Sequence, residues 1–146
     1  MTTVVTQLLS ALCGSFGFAL LFNHKGLNLL FAALGGGLTW GLYLFCENFS
    51  ENLFLLNLLA AAFAAVYSEV LARLRKTPAT AFMVTSIIPL VPGGSLYYTL
   101  LYILADDKAA AQTSGVNTLF IAGGVAVGIV LVSVLLKPLT KKKRPQ

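Results

Sequence analysis

The chain is short of the groups that most soluble chemistry needs. Only 10% of its 146 residues are charged, against roughly 25% in a soluble domain. It has one histidine, His24, and two cysteines, Cys13 and Cys46. These show no metal-ligand spacing and no Ser/His or Cys/His constellation, so no catalytic residue, metal site or cofactor is expected. Cys13 falls within an apolar run and Cys46 near the end of another, so no disulfide between them is expected either. The opening "MTTVVTQLLSALCGSFGFALLF" has no Lys or Arg before its apolar stretch, unlike a secretory leader. Leu12 stands where a lipoprotein cleavage box has a small residue. The segment reads as a retained helix. What the chain does have is apolar surface, at 58% hydrophobic residues and a mean hydropathy of +0.85. So small a globule cannot hide that much, and lipid must be the solvent.

The apolar runs divide into five segments, about 4–22, 27–46, 53–71, 79–105 and 116–136. Four have the roughly 20 residues that a helix needs to cross the hydrocarbon. The fourth has 27, too many for one straight crossing and reasonable for a broken one. The expectation is an all-α integral membrane protein: a single transmembrane domain, 1–146, of five transmembrane helices, with a basic tail at 137–146. With the C-terminus in the cytoplasm, Lys25, Arg73, Arg75, Lys76 and the tail lie inside, and only Lys108 lies outside. That places nine of the ten basic residues on the inner face, as the positive-inside rule requires. The N-terminus is then outside. Beside a hydrophobic span, the tail reads as an anchor to anionic membrane lipids and not as a nucleic-acid arm. Gly14, Gly17, Gly35 to Gly37, Ala60 to Ala65, Gly124 and Gly128 mark faces where helices approach closely. Trp40 and Tyr43, near the outer end of the second helix, read as interfacial aromatics.

The fourth segment contains "IIPLVPGG". Two prolines and two glycines fall within six residues, Pro89 to Gly94. Each proline removes a backbone donor and clashes with the carbonyl four residues earlier. The residues before them, Ile88 and Val91, are pushed out of helical geometry, and Gly93 and Gly94 permit the resulting turn. Unwound backbone in lipid persists only where it is buried in protein or lines a wet cavity, and discontinuous helices of this kind form transporter sites. Free N–H groups near Gly93, Gly94 and Ser95 suit a carboxylate. Thr85, Ser86, Ser95, Tyr97 and Tyr98 add hydroxyls. The expected substrate-binding set is therefore Thr85, Ser86, Pro89, Pro92, Gly93, Gly94, Ser95, Tyr97 and Tyr98. A P-loop is excluded because no Lys follows the glycines. A kinked helix whose loose groups are met by neighbours is the structural alternative. Glu69 is the one acid well inside a span. It is either a proton-coupling group or the structural ion-pair partner of Arg73, four residues on. His24, in a short inner loop, reads as solvated.

The stretch "YSEVLARLRKTPATAFMVTSIIPLVPGGSLYYTLLYILADD", Tyr67 to Asp107, resembles the core of the threonine/serine exporter (ThrE) family. It is most similar to the small, membrane-only subunit of the two-component form (YjjB-like). The matching features are the Glu-basic-Lys-Thr-Pro-Ala run and the PLVPGG break followed by tyrosines. The five-span plan and basic tail also fit. The resemblance implies proton-driven export of small amino acids (threonine, serine) or of dicarboxylates such as succinate. It also implies a larger partner subunit of the same family and a bacterial inner membrane. A non-transporting scaffold or assembly subunit is the alternative, and it would need no polar site at the break.

Overall fold

The apolar runs become helices, and local backbone signals stop them. In a computed structural model, residues 2–140 are described, with side chains from 3 to 136. The helices are α1 (Thr2–Leu21), α2 (Leu27–Glu47), α3 (Leu53–Arg75), α4 (Ala79–Ile87), α5 (Gly93–Leu104) and α6 (Lys108–Thr140). One 3-10 turn, Ile88–Leu90, joins α4 to α5, and no strand occurs among the described residues. Left-handed residues punctuate the linkers: Asn23 and Gly26 after α1, Lys76 after α3, Asp106 after α5. Asn52 caps α3 by accepting from the Leu55 amide at 3.2 Å, and Asp107 caps α6 by accepting from the Ala110 amide at 3.1 Å. A capping oxygen of this kind satisfies one of the orphan donors at a helix start.

Four helices (α1, α2, α3 and α6) are long and apolar enough to cross a membrane. The α4–α5 pair, bent by 49°, supplies a fifth span if counted as one. The expected boundaries of α1 and α2 agree within two residues. Two others move. The third helix continues to Arg75, and the last begins at Lys108, eight residues before the expected start, because "KAAAQT" is helix-permissive sequence directly after the Asp107 cap. At 1.5 Å per residue, 33 residues of α6 span about 50 Å, more than the ~30 Å of hydrocarbon. Residues 137–140 continue this helix; the rest of the basic tail lies outside the described residues.

The bundle closes around α2, with α1, α3 and α4 against it; α6 packs along α3, and α5 lies chiefly against α6. Small residues permit the tightest of these contacts. A Cβ on Gly128 would stand 2.5 Å from the Leu58 carbonyl, and one on Gly124 would stand 3.2 Å from the Asn57 Cβ. The Tyr67 hydroxyl donates to the Phe31 carbonyl at 2.8 Å, tying α3 to α2.

The linkers at the basic end lock together. Arg75 Nε donates to Asn28 Oδ1 at 2.7 Å, and its guanidinium lies 5.6 Å from the Phe31 ring centroid. His24 corrects the sequence reading. It is not solvated but 8% exposed. Its Nε2 lies 3.2 Å from the Ala81 carbonyl, and its ring packs 5.3 Å from that of Phe82. The short α1–α2 loop is drawn inward because α4 begins directly beside it and offers a carbonyl in its first turn.

Candidate functional site

The two prolines act differently. Ile88 stays in right-handed helical geometry, contrary to the expectation. Pro89 sits at the start of the 3-10 turn, where a missing N–H costs little. Val91 does become extended, with ψ 125°, as a residue before proline should. The break is thus centred on Val91 and Pro92. Its backbone is only partly paired: Val91 donates to Ile88 at 3.2 Å, Gly93 to Val91 at 2.7 Å, and Leu96 to Pro92 at 2.9 Å. The amides of Gly94 and Ser95, in the first turn of α5, meet no backbone acceptor.

Gly93 and Gly94 have ordinary negative φ and do not form the turn. Their contribution is openness, because a Cβ at either would meet nothing within 4 Å. The free N–H groups therefore stay approachable.

A cavity of about 180 Å³ lies against this helix end. The break supplies Pro89 to Pro92, Gly94 and Ser95. Trp40 and Tyr43 come from α2, Asn57 from α3 and Ile121 from α6. At ~30 Å³ per water, the space holds roughly six waters or one small solute. Trp40 and Tyr43 stack at 4.8 Å. They line this cavity as well as lying near a helix end, a role that the interfacial reading did not anticipate. Asn57 is buried and donates to the Leu53 carbonyl at 2.8 Å. A signal for Asn57 was present, since it is a lone amide in "LFLLNLLAAAFAA". Trp40 gave no such signal, because only packing brings it to the break.

Of the nine expected site residues, Pro89, Pro92, Gly94 and Ser95 line the cavity. Gly93 adjoins it in sequence. Thr85 and Ser86 are fully buried and do not line it. Thr85 turns back to the Phe82 carbonyl at 2.9 Å, and Ser86 packs against Gly35. Tyr97 and Tyr98 are 62% and 50% exposed. Tyr98 stacks on Tyr102 at 6.1 Å, and neither Tyr97 nor Tyr98 lines the cavity. Glu69 and Arg73 stand apart from it as an i,i+4 pair with a 3.8 Å N–O separation. Among the described residues, no group of His, Cys, Asp or Glu is arranged to hold a metal ion.

No curated protein and no solved structure matches the chain significantly. The family model described as Threonine/Serine exporter, ThrE, matches residues 7–135, from the first turns of α1 into the last turns of α6. With the break, the apolar helices and this match together, the chain is a multi-pass membrane protein that belongs to the threonine/serine exporter ThrE family, a family of transporters and not of enzymes.

Proposed function

We propose that this chain is the small membrane subunit of a proton-driven exporter of threonine, serine or a small dicarboxylate in a bacterial inner membrane. It works with a larger subunit of the same family. The observation that carries the reading is the cavity at the break. There the unpaired amides of Gly94 and Ser95 begin a 12-residue helix, and its positive end suits a carboxylate. Small volume favours small solutes. The partner requirement rests on a general feature of secondary transporters: their sites lie between two repeats, and this chain contributes one broken helix.

The test uses Gly94→Leu. A Cβ at this position meets no atom within 4 Å, so the backbone accepts the substitution and the variant should accumulate normally, while the rest of the leucine occupies the cavity that Gly94 lines. In cells that carry both subunits, efflux of labelled threonine should fall to background. Normal efflux by Gly94→Leu removes the break from the transport site. Saturable transport by this chain alone in liposomes removes the partner requirement. The orientation proposed, with the C-terminus cytoplasmic, is tested by a reporter active only in the periplasm. Fused after Gln146 it should stay silent, and activity would reverse the topology.

A further inference from the structure

Among the described residues, five buried side-chain atoms have no hydrogen-bond partner: Gln7 Oε1, Ser15 Oγ, Thr39 Oγ1, Trp40 Nε1 and Ser86 Oγ. All five lie on α1, α2 and α4, and none on α3, α5 or α6. Several hydroxyls off this seam turn back on their own helices. Ser68 donates to Ala64 at 2.7 Å, Thr99 to Ser95 at 2.7 Å and Thr118 to Ser114 at 2.9 Å. This is the ordinary way for a hydroxyl to be satisfied in an apolar helix. Ser15, Thr39 and Ser86 are as buried as Ser68 and do not do so. A desolvated hydroxyl without a partner is destabilising, and alanine would fill the same space without that cost. Each such group calls for an explanation, and hydration in another state of the molecule is one.

Their arrangement is continuous. Ser15 of α1 seats its side chain against Gly36, with its Cβ 2.5 Å from where a Gly36 Cβ would be. Ser86 of α4 seats its hydroxyl against Gly35, and the Thr85 carbonyl also faces Gly36. Thr39 lies one turn further along the same face of α2. Beyond it, Trp40 and Pro89 line a second, larger cavity of about 320 Å³ with Thr6, Gln7, Ser10 and Ala11 of α1. Trp40 and Pro89 belong to both this cavity and the one at the break. The seam therefore has an open half towards the ends of α1 and α2 that hold Thr6 and Tyr43, mostly apolar in surface but with Thr6, Gln7 and Ser10 along it. Its other half is closed by the approach of Ser15 and Ser86 to Gly36 and Gly35.

We propose that the export route runs along the α1–α2–α4 seam, and that the structure is caught with one half of it shut. The open cavity is a vestibule that recognises the zwitterionic end of an amino acid. In this state the Trp40 Nε1 and Gln7 Oε1 atoms are buried behind the cavity wall; on binding, the two side chains turn so that the indole N–H donates to the carboxylate and Gln7 Oε1 accepts from the ammonium group. The Ser15–Gly36 and Ser86–Gly35 contacts are the closed gate; when α4 withdraws from α2, the three hydroxyls line a wet path. This rests on the transport reading above and assigns the route and ligands within it.

The experiment places single cysteines in a Cys13→Ala, Cys46→Ala parent, in vesicles from cells that carry both subunits. A charged, membrane-impermeant thiol reagent is the probe. Ser86→Cys should react from the cytoplasmic face, at least about tenfold faster during threonine export than at rest. Ser68→Cys, a serine just as buried but off the seam, should stay unreactive. Gln7→Cys should react from the opposite face and be protected about tenfold by threonine. Should Ser86→Cys not reach the membrane, Ser15→Cys reads the same gate. Vesicles that export threonine while Ser86→Cys stays as inert as Ser68→Cys overturn the route and leave the transport function standing. Labelling of Gln7→Cys that is indifferent to threonine in exporting vesicles overturns the vestibule. Reactive Ser86→Cys in vesicles that do not export threonine keeps the route and removes threonine as cargo.

Discussion

The α3–α6 seam is where one added methyl group should matter most. Gly123, Gly124 and Gly128 all lie on α6, but their surroundings differ. A Cβ on Gly123 would meet the Phe54 ring at 3.6 Å, an ordinary contact. A Cβ on Gly128 would lie 2.5 Å from the Leu58 carbonyl and 3.1 Å from the Ala62 amide. Real Cβ atoms essentially never come closer than 3.0 Å to a neighbour, so the helices must part by at least 3.0 − 2.5, or 0.5 Å. The obstructing atoms are backbone, which no rotamer change can move. Overpacking of this kind costs roughly 1–3 kcal/mol, and each 1.4 kcal/mol is tenfold in an equilibrium constant. Gly128→Ala should therefore lower the folded-to-unfolded ratio by roughly 5- to 150-fold. Gly124→Ala should behave alike and also displace Asn57, whose Cβ lies 3.2 Å from the added atom and whose side chain walls the cavity. Gly123→Ala should change stability by less than about 0.5 kcal/mol. Denaturant titration of the purified protein in detergent, read by fluorescence of Trp40, compares the three. Equal stability of Gly128→Ala and Gly123→Ala would refute the close-approach reasoning.

Three other outcomes follow from named contacts. His24→Ala removes the contact with the Ala81 carbonyl and the packing on Phe82, and should destabilise by about 1–3 kcal/mol; an unchanged denaturation midpoint would show that the α1–α2 loop does not hold α4. Ser95→Ala removes one neutral hydrogen-bonding group from the cavity at the break. If Ser95 contacts substrate, affinity should weaken about three- to tenfold, the equivalent of roughly 0.5–1.5 kcal/mol, and an unaltered half-saturation concentration for efflux would exclude that contact. Glu69→Gln breaks a partly exposed pair, with Arg73 49% and Glu69 30% exposed; i,i+4 pairs of this kind contribute about 0.3–0.5 kcal/mol. Its protein level and efflux should stay close to those of the parent, and abolished efflux at normal abundance would instead make Glu69 the proton carrier.

Composition alone determined that this chain lives in lipid, because apolar area scales with residue count whatever the fold. Periodicity and length placed the helices, and local chemistry placed the break: Val91 is extended because a proline follows it, a constraint that acts within one peptide unit. The glycines of "PGG" carried less information. They permit a left-handed turn but do not require one, and here they leave the end of α5 open. The assembly of the site was beyond local reading. Trp40 and Tyr43 looked like belt residues, and only the packing of α2 beside the break makes them cavity walls. Thr85 and Ser86 sit four and three residues before Pro89, yet the 3-10 turn and the glycines of α2 seal them away from it. His24 looked solvated until α4 was seen beside it. Helix formation and proline strain are settled by bonds within a few residues. Which side chains meet across helices depends on ridge, groove and glycine notch, and those exist only once the bundle has packed.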